Sequence, residues 1–220
     1  GSSMDTRSWK GTPRNSLLQA PRSCGPGLTR VSYLGGGATV VFLGGPGRRT
    51  PFLNETWIWN GTTWTKKSPT TSPSVRYLAP AAYDAATSNV VLFGGNSGSA
   101  ALGDTWSWNG TTWAQSTAAP APSIRQAAAL AFDVASNSLT LFSGNSGTTY
   151  LADTWAWDGT TWSAQLPATS APAKADAAAV YQKTVGSILT YGGATAAGLG
   201  DTPAWPTPAS PSPHDCTRPS

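Results

Sequence analysis

Apolar positions fall into short runs separated by polar or glycine-rich turns, the pattern of short strands. Residues 76–116 show it most fully. Ala79-Pro80-Ala81-Ala82-Tyr83 predicts a first strand, A, and Asp84-Ala85-Ala86-Thr87-Ser88-Asn89 a polar turn. Val90-Val91-Leu92-Phe93 predicts a buried second strand, B, closed by Gly94-Gly95. After a loop, Asp104-Thr105-Trp106-Ser107-Trp108 predicts strand C, with its two tryptophans on one face because they are two residues apart. Asn109-Gly110 predicts a tight two-residue hairpin, since both residues tolerate positive φ. Thr111 to Gln115 completes the unit as strand D.

The same unit recurs. Glu55-Thr56-Trp57-Ile58-Trp59-Asn60-Gly61-Thr62-Thr63-Trp64 returns at Asp104 and again at Asp153, each time 49 residues later. A fixed period near 50 marks repeated supersecondary units, and four short antiparallel strands per unit make a propeller blade. The paired tryptophans are expected to fill the space between one blade and the next, with a sugar-stacking platform as the alternative. Asp5 to Arg14 reads as a worn copy of strands C and D, with Arg7 and Arg14 at tryptophan positions. Residues 26–34 and 38–43 then supply A and B of the first whole unit. Ala177 to Tyr181 and Ser187 to Tyr191 supply a last A and B. Asp201-Thr202-Pro203-Ala204-Trp205-Pro206 begins as strand C, but its prolines spoil a central position.

Gly44-Gly45, Gly94-Gly95 and Gly192-Gly193 after strand B, with the strand C tryptophan pair and the strand D tryptophan, resemble the kelch-repeat β-propeller family. Ser143-Gly144 departs from that pattern by one small residue. The resemblance implies an all-β propeller with strand A innermost. It also implies about six or seven blades, whereas this chain holds four blade equivalents, within the range open to propellers. Joining the C–D half at the start to the A–B half at the end would complete a fourth blade and remove two sheet edges. The expected organisation is a cloning remnant at 1–4, one propeller domain over 5–205 and a Pro/Ser-rich mobile tail at 206–220. The assembly is expected to be a monomeric ring or a homodimer sharing blades.

Composition narrows the chemistry. Charged residues make up 11% of the chain and the net charge is +4 without a dense basic run, so nucleic acid is an unlikely partner. No apolar stretch approaches the roughly 20 residues that span a bilayer. The Trp-, Thr- and Ser-rich, low-charge composition leans toward an extracellular or cell-envelope setting. The sole histidine, His214, lies in the tail, which leaves a catalytic Ser-His-Asp or Cys-His arrangement without a base. A metal site could be assembled only from Cys24, His214, Asp215 and Cys216, if the tail folds back. Some relatives implied by the resemblance are copper oxidases, but the His and Tyr ligands are not supplied here. No cofactor is expected.

The B–C and D–A loops should share one face and carry the differences between repeats. Arg48 and Arg49 lie in one of these loops. At the start of strand A one position reads Arg76, Arg125 and Lys174, 49 residues apart. Symmetry would gather these cations at a channel mouth, where they could hold an anionic ligand. The alternative, which the resemblance favours, is a scaffold role: capping carbonyls or pairing with a carboxylate in a neighbouring blade. Asp176 replaces Leu78 and Ala127, and Tyr77 and Gln126 also break the symmetry. Glu55, Asp104, Asp153 and Asp201 recur at the start of strand C, with loop-amide capping as their expected role. The leading expectation is a non-catalytic module that binds a protein, a glycan or a small anionic ligand on this face, with Gln126 lining the pocket. The alternative is a hydrolase of anionic or activated esters, such as phosphoesters. It would use the three cations to stabilise developing charge and Asp176 or Tyr77 to transfer a proton.

Overall fold

The structure, a computed structural model, describes residues 32–34, 39–43 and 54–199. The copy at 5–14, Cys24, Gly44-Gly45, Arg48, Arg49, Asp201, His214, Asp215, Cys216 and the tail lie outside the described residues.

The chain is all-β. Strands β1 (Ser32–Leu34), β2 (Thr39–Leu43), β3 (Thr56–Trp59) and β4 (Trp64–Lys67) form an antiparallel sheet in chain order. A second such sheet holds β5 (Ala81–Asp84), β6 (Asn89–Asn96), β7 (Ala101–Trp108) and β8 (Trp113–Ser116). A third holds β9 (Ala129–Asp133), β10 (Ser138–Phe142), β11 (Thr154–Trp157) and β12 (Trp162–Gln165). Strands β13 (Ala178–Gln182) and β14 (Ser187–Tyr191) pair as a hairpin, and β15 (Ala194–Thr195) with β16 (Gly198–Leu199) as a smaller one. The first strands β1, β5, β9 and β13 lie side by side in that order, so successive sheets face one another.

Packing follows from alternation along each strand. In β6, Val90 and Leu92 turn toward the first sheet and join Trp106, Trp108, Trp113 and Ile58. Val91 and Phe93 turn the other way and join Leu139, Leu141, Trp157 and Trp162 of the third sheet. All four β6 residues are buried because the strand is covered on both faces. The tryptophans fill the inter-sheet space. Trp108 packs on Trp113 at 5.5 Å between ring centroids, and Phe93 meets Trp162 edge-on at 5.5 Å. A second tie is polar. Trp113 Nε1 donates to Thr56 Oγ1 of the preceding sheet, and Trp162 Nε1 to Thr105 Oγ1, both at 2.9 Å.

Three local expectations need correction. Strand A begins at Ala81 and not at Ala79, because Leu78, Ala127 and Asp176 take left-handed φ values of 54°, 53° and 60° just before it. These residues form a backbone chain instead: Ala127 N–H donates to Leu78 O and Asp176 N–H to Ala127 O, each at 2.8 Å. The Asn-Gly hairpins are four-residue connections and not two-residue turns. The side chain of Asn60 accepts from the N–H groups of Thr62 and Thr63, and Asn109 and Asp158 repeat this. Only the glycine there has positive φ: 98°, 96° and 100° at Gly61, Gly110 and Gly159. Strand B runs on to Asn96 in the second sheet, through a register shift between Phe93 and Gly95. Gly94 sits in this shift at φ 59°, and a Cβ there would lie 2.4 Å from Arg125 O, so only glycine fits without movement.

Candidate functional site

The loop-bearing end of the sheets is organised by isolated bridges that extend strand A toward the end of strand B. Tyr77 bridges Asn96, Gln126 bridges Asn145 and Ala175 bridges Ala194. Asn96 Nδ2 also donates to Gln126 Oε1 at 2.6 Å, tying consecutive units. In the adjoining loops Asn96 Oδ1 accepts from Gly98 N–H and Asn145 Oδ1 from Gly147 N–H, so the two turns have the same build with different side chains beyond them. Tyr77 and Gln126 are half-buried here and Asp176 is exposed. Asp176 suits its left-handed position, which aspartate tolerates better than leucine or alanine.

Arg76 and Arg125 lie inside this end, not on it. They are 2% and 0% exposed. Arg76 Nη1 donates to Asp104 Oδ1 at 2.6 Å and to Gly94 O, while Nη2 donates to Asp104 Oδ2 at 2.8 Å and to Ser74 Oγ. Its Nε donates to Ser74 O. Arg125 repeats the set with Asp153, Ser143 O, Ser123 O and Ser123 Oγ. All five guanidinium N–H groups are used in each case, so neither arginine has a donor to offer an incoming anion. The carboxylate partner belongs to the same sheet and not to a neighbouring one. Lys174 differs. It is half-buried, and its Nζ donates to Thr190 Oγ1 at 3.3 Å. Pro172 stands where Ser74 and Ser123 stand, so the serine and the arginine are lost together in this repeat.

The described acids at the start of strand C, Glu55, Asp104 and Asp153, accept side-chain donors in place of the expected loop amides. Asp104 Oδ2 also accepts from Trp106 Nε1 and Asp153 Oδ2 from Trp155 Nε1. Burial pushes both carboxyls up, but the arginine and the indole outweigh it and hold them below the usual range. In the sequence Gly27 stands 49 residues before Arg76, so the first repeat has no cation at this position. Glu55 pairs with Lys66 of β4 and accepts from Trp57 Nε1. The Lys66 hydrogen bond, followed by that of Trp57, lowers its pKa. The serines two residues before each arginine and the threonines that receive the strand D tryptophans were legible only as recurrences at the 49-residue period. Their partners were not.

Between the first strands of the last three units lies a cleft of ≈ 90 Å³ lined by Pro80, Ala81, Ala128, Ala129, Leu130, Ala177 and Ala179. Sites that enclose small ligands hold roughly 300–1,000 Å³. This cleft is smaller, and its lining side chains are all apolar, so none of them can stabilise charge. Among the described residues no cluster of His, Cys, Asp or Glu could hold a metal ion, and no helix is long and apolar enough to cross a membrane. Neither a family model nor a curated protein matches the chain.

Proposed function

We propose that the chain is a kelch-like β-propeller module of four blade equivalents, with the terminal halves completing one blade either in a monomeric ring or between two copies, and that it binds without catalysing. The single observation that carries the functional reading is the division of labour at the loop-bearing end. The charged groups placed to do chemistry, Arg76 and Arg125, have every donor engaged in the scaffold. Two of the side chains that break the repeat, Tyr77 and Gln126, belong to residues that bridge Asn96 and Asn145 at the start of the loops. Variation held on a rigid frame is where a binding surface is built.

The ligand class that suits this surface is a neutral, hydrogen-bonding one: a glycan, or a polar stretch of a protein. Gln126 and Asn145 use their amide oxygens in the frame, and their amide N–H groups, which bond no described residue, suit such a ligand. The ester-hydrolase alternative needs cations able to turn toward a developing anion, and the two arginines are not placed to do so.

The test is an array of glycans and peptides probed with the intact chain, beside turnover of a panel of chromogenic esters. Wild-type protein should bind a member of the array and turn over no ester, and Tyr77→Ala with Gln126→Ala should abolish binding while leaving the circular dichroism spectrum unchanged. Ester turnover that disappears in Asp176→Asn would overturn this reading in favour of the hydrolase.

A further inference from the structure

The two ends of the described array carry complementary faces that are not packed on each other. On β13 and β14, Val180, Leu189 and Tyr191 share one face and are 52%, 52% and 54% exposed. The repeat identifies what that face is for. Its counterparts in the second sheet are Ala82, Val91 and Phe93, which are buried at 7%, 0% and 0% exposure under Trp157 and Trp162 of the following sheet. A face of this kind therefore takes a tryptophan-bearing pair of strands C and D.

At the other end such a pair waits. Trp57, Trp59 and Trp64 of β3 and β4 are the counterparts of Trp106, Trp108 and Trp113. Trp113 and Trp162 are buried at 1% and 2% because a preceding sheet covers them, whereas Trp64 is 37% exposed. Trp64 still stacks on Trp59, with ring centroids 5.3 Å apart, so the face is already arranged as its counterparts are. Strand β13 packs on β9 and β1 on β5, and among the described residues no comparable packing joins β13 to β1. Among the described strands the two ends of the arc thus stand open.

We propose that the occupant of each end is a second copy of this chain, which sets its Trp57–Trp59–Trp64 face on the Val180–Leu189–Tyr191 face of the first. Each contact joins unlike surfaces. Two such contacts related by a two-fold axis close the pair into a ring, which limits growth to a dimer. The junction continues the inter-sheet packing already present twice inside the chain, with the same residue types in the same register. This inference stands on that packing and not on the ligand reading, so either can fail without the other.

Sedimentation velocity over the micromolar range tests it. The wild-type chain should sediment at twice its mass of 22.6 kDa. Leu189→Lys, Tyr191→Lys and Trp64→Lys should each weaken the dimer at least about tenfold, as expected for a charge placed in an apolar contact. All three positions are exposed in the single chain, so an unchanged circular dichroism spectrum will show that folding is intact. Mixing Tyr191→Lys with Trp64→Lys restores one sound junction per pair and should give more dimer than either variant forms alone. A wild-type chain of monomer mass throughout the range overturns the proposal, and so does a dimer indifferent to all three substitutions. A ladder of larger masses would show that the ends join without closing, which overturns the two-fold ring.

Discussion

At the scale of single residues, the cations at the start of strand A show how far identity and environment can diverge. Arg125 is fully buried with five engaged donors, and Lys174 at the equivalent position is half-buried beside Thr190. Arg125→Ala strands two carbonyls and the Asp153 carboxylate, which is 41% exposed and so partly rehydrated. The expected loss is about 3 kcal/mol, read from urea denaturation, while Lys174→Ala should stay within about 0.5 kcal/mol. Ser143 makes the opposite case. It holds φ 61° where the second sheet has Gly94, and its hydroxyl is buried without a hydrogen-bond partner. Ser143→Gly relieves both costs against a smaller entropic penalty, a net gain of about 1 kcal/mol. Thermal unfolding should show a melting temperature higher by about 2–4 °C. The basic position itself was plain in the sequence. Its role was not, because two of the arginine's partners, the Asp153 carboxylate 28 residues away and the Ser143 carbonyl 18 residues away, are brought near only by folding.

At the scale of elements, the ties between sheets are the bonds from strand D tryptophans to strand C threonines. Trp162 donates to Thr105 across 57 residues of sequence, one repeat back. Trp162→Phe keeps most of the ring packing and leaves Thr105 Oγ1 without its donor. A double-mutant cycle with Thr105→Val should give a coupling of about 1 kcal/mol. A coupling near zero would show that the tryptophan acts through packing alone. The strands themselves were legible from alternation and from the period, including Ser187–Tyr191 to the residue. Their ends were less so. The backbone chain through Leu78, Ala127 and Asp176 delays strand A, and the Asx side chains lengthen the hairpins. Both effects depend on contacts that no run of apolar residues announces.

At the scale of the whole molecule, the carboxylates make stability fall in acid. Asp104, Asp153, Glu55 and Asp158 all have folded-state pKa values below their ordinary ones, and Asp158 is lowered to about 2 by the N–H of Thr161 and by the hydroxyl and N–H of Thr160. Unfolded aspartate titrates near 3.9 and glutamate near 4.3. These groups therefore contribute fully above about pH 5, and their contribution is lost as pH falls through the folded-state values. The urea midpoint should be level from about pH 7 to 5 and drop between about pH 4 and 2. Asp158→Asn should shrink that drop and leave the neutral-pH midpoint nearly unchanged, since Asn60 and Asn109 hold the same turn in the other sheets. A drop of undiminished size would remove Asp158 from the account.

The sequence by itself determined the all-β class, the 49-residue period and the position of the strands, because alternation and repetition are local properties that each repeat restates. Only the tertiary structure decided what the polar side chains do. Arg76 and Arg125 meet Asp104 and Asp153 inside a sheet, and Glu55 takes Lys66 where the first repeat lacks its arginine. The physical reason is distance. An apolar residue needs only a covered face, which periodicity supplies, whereas a charge needs one particular partner within about 3 Å. In a chain of repeats that partner can come from the same strand, the same sheet or the sheet before.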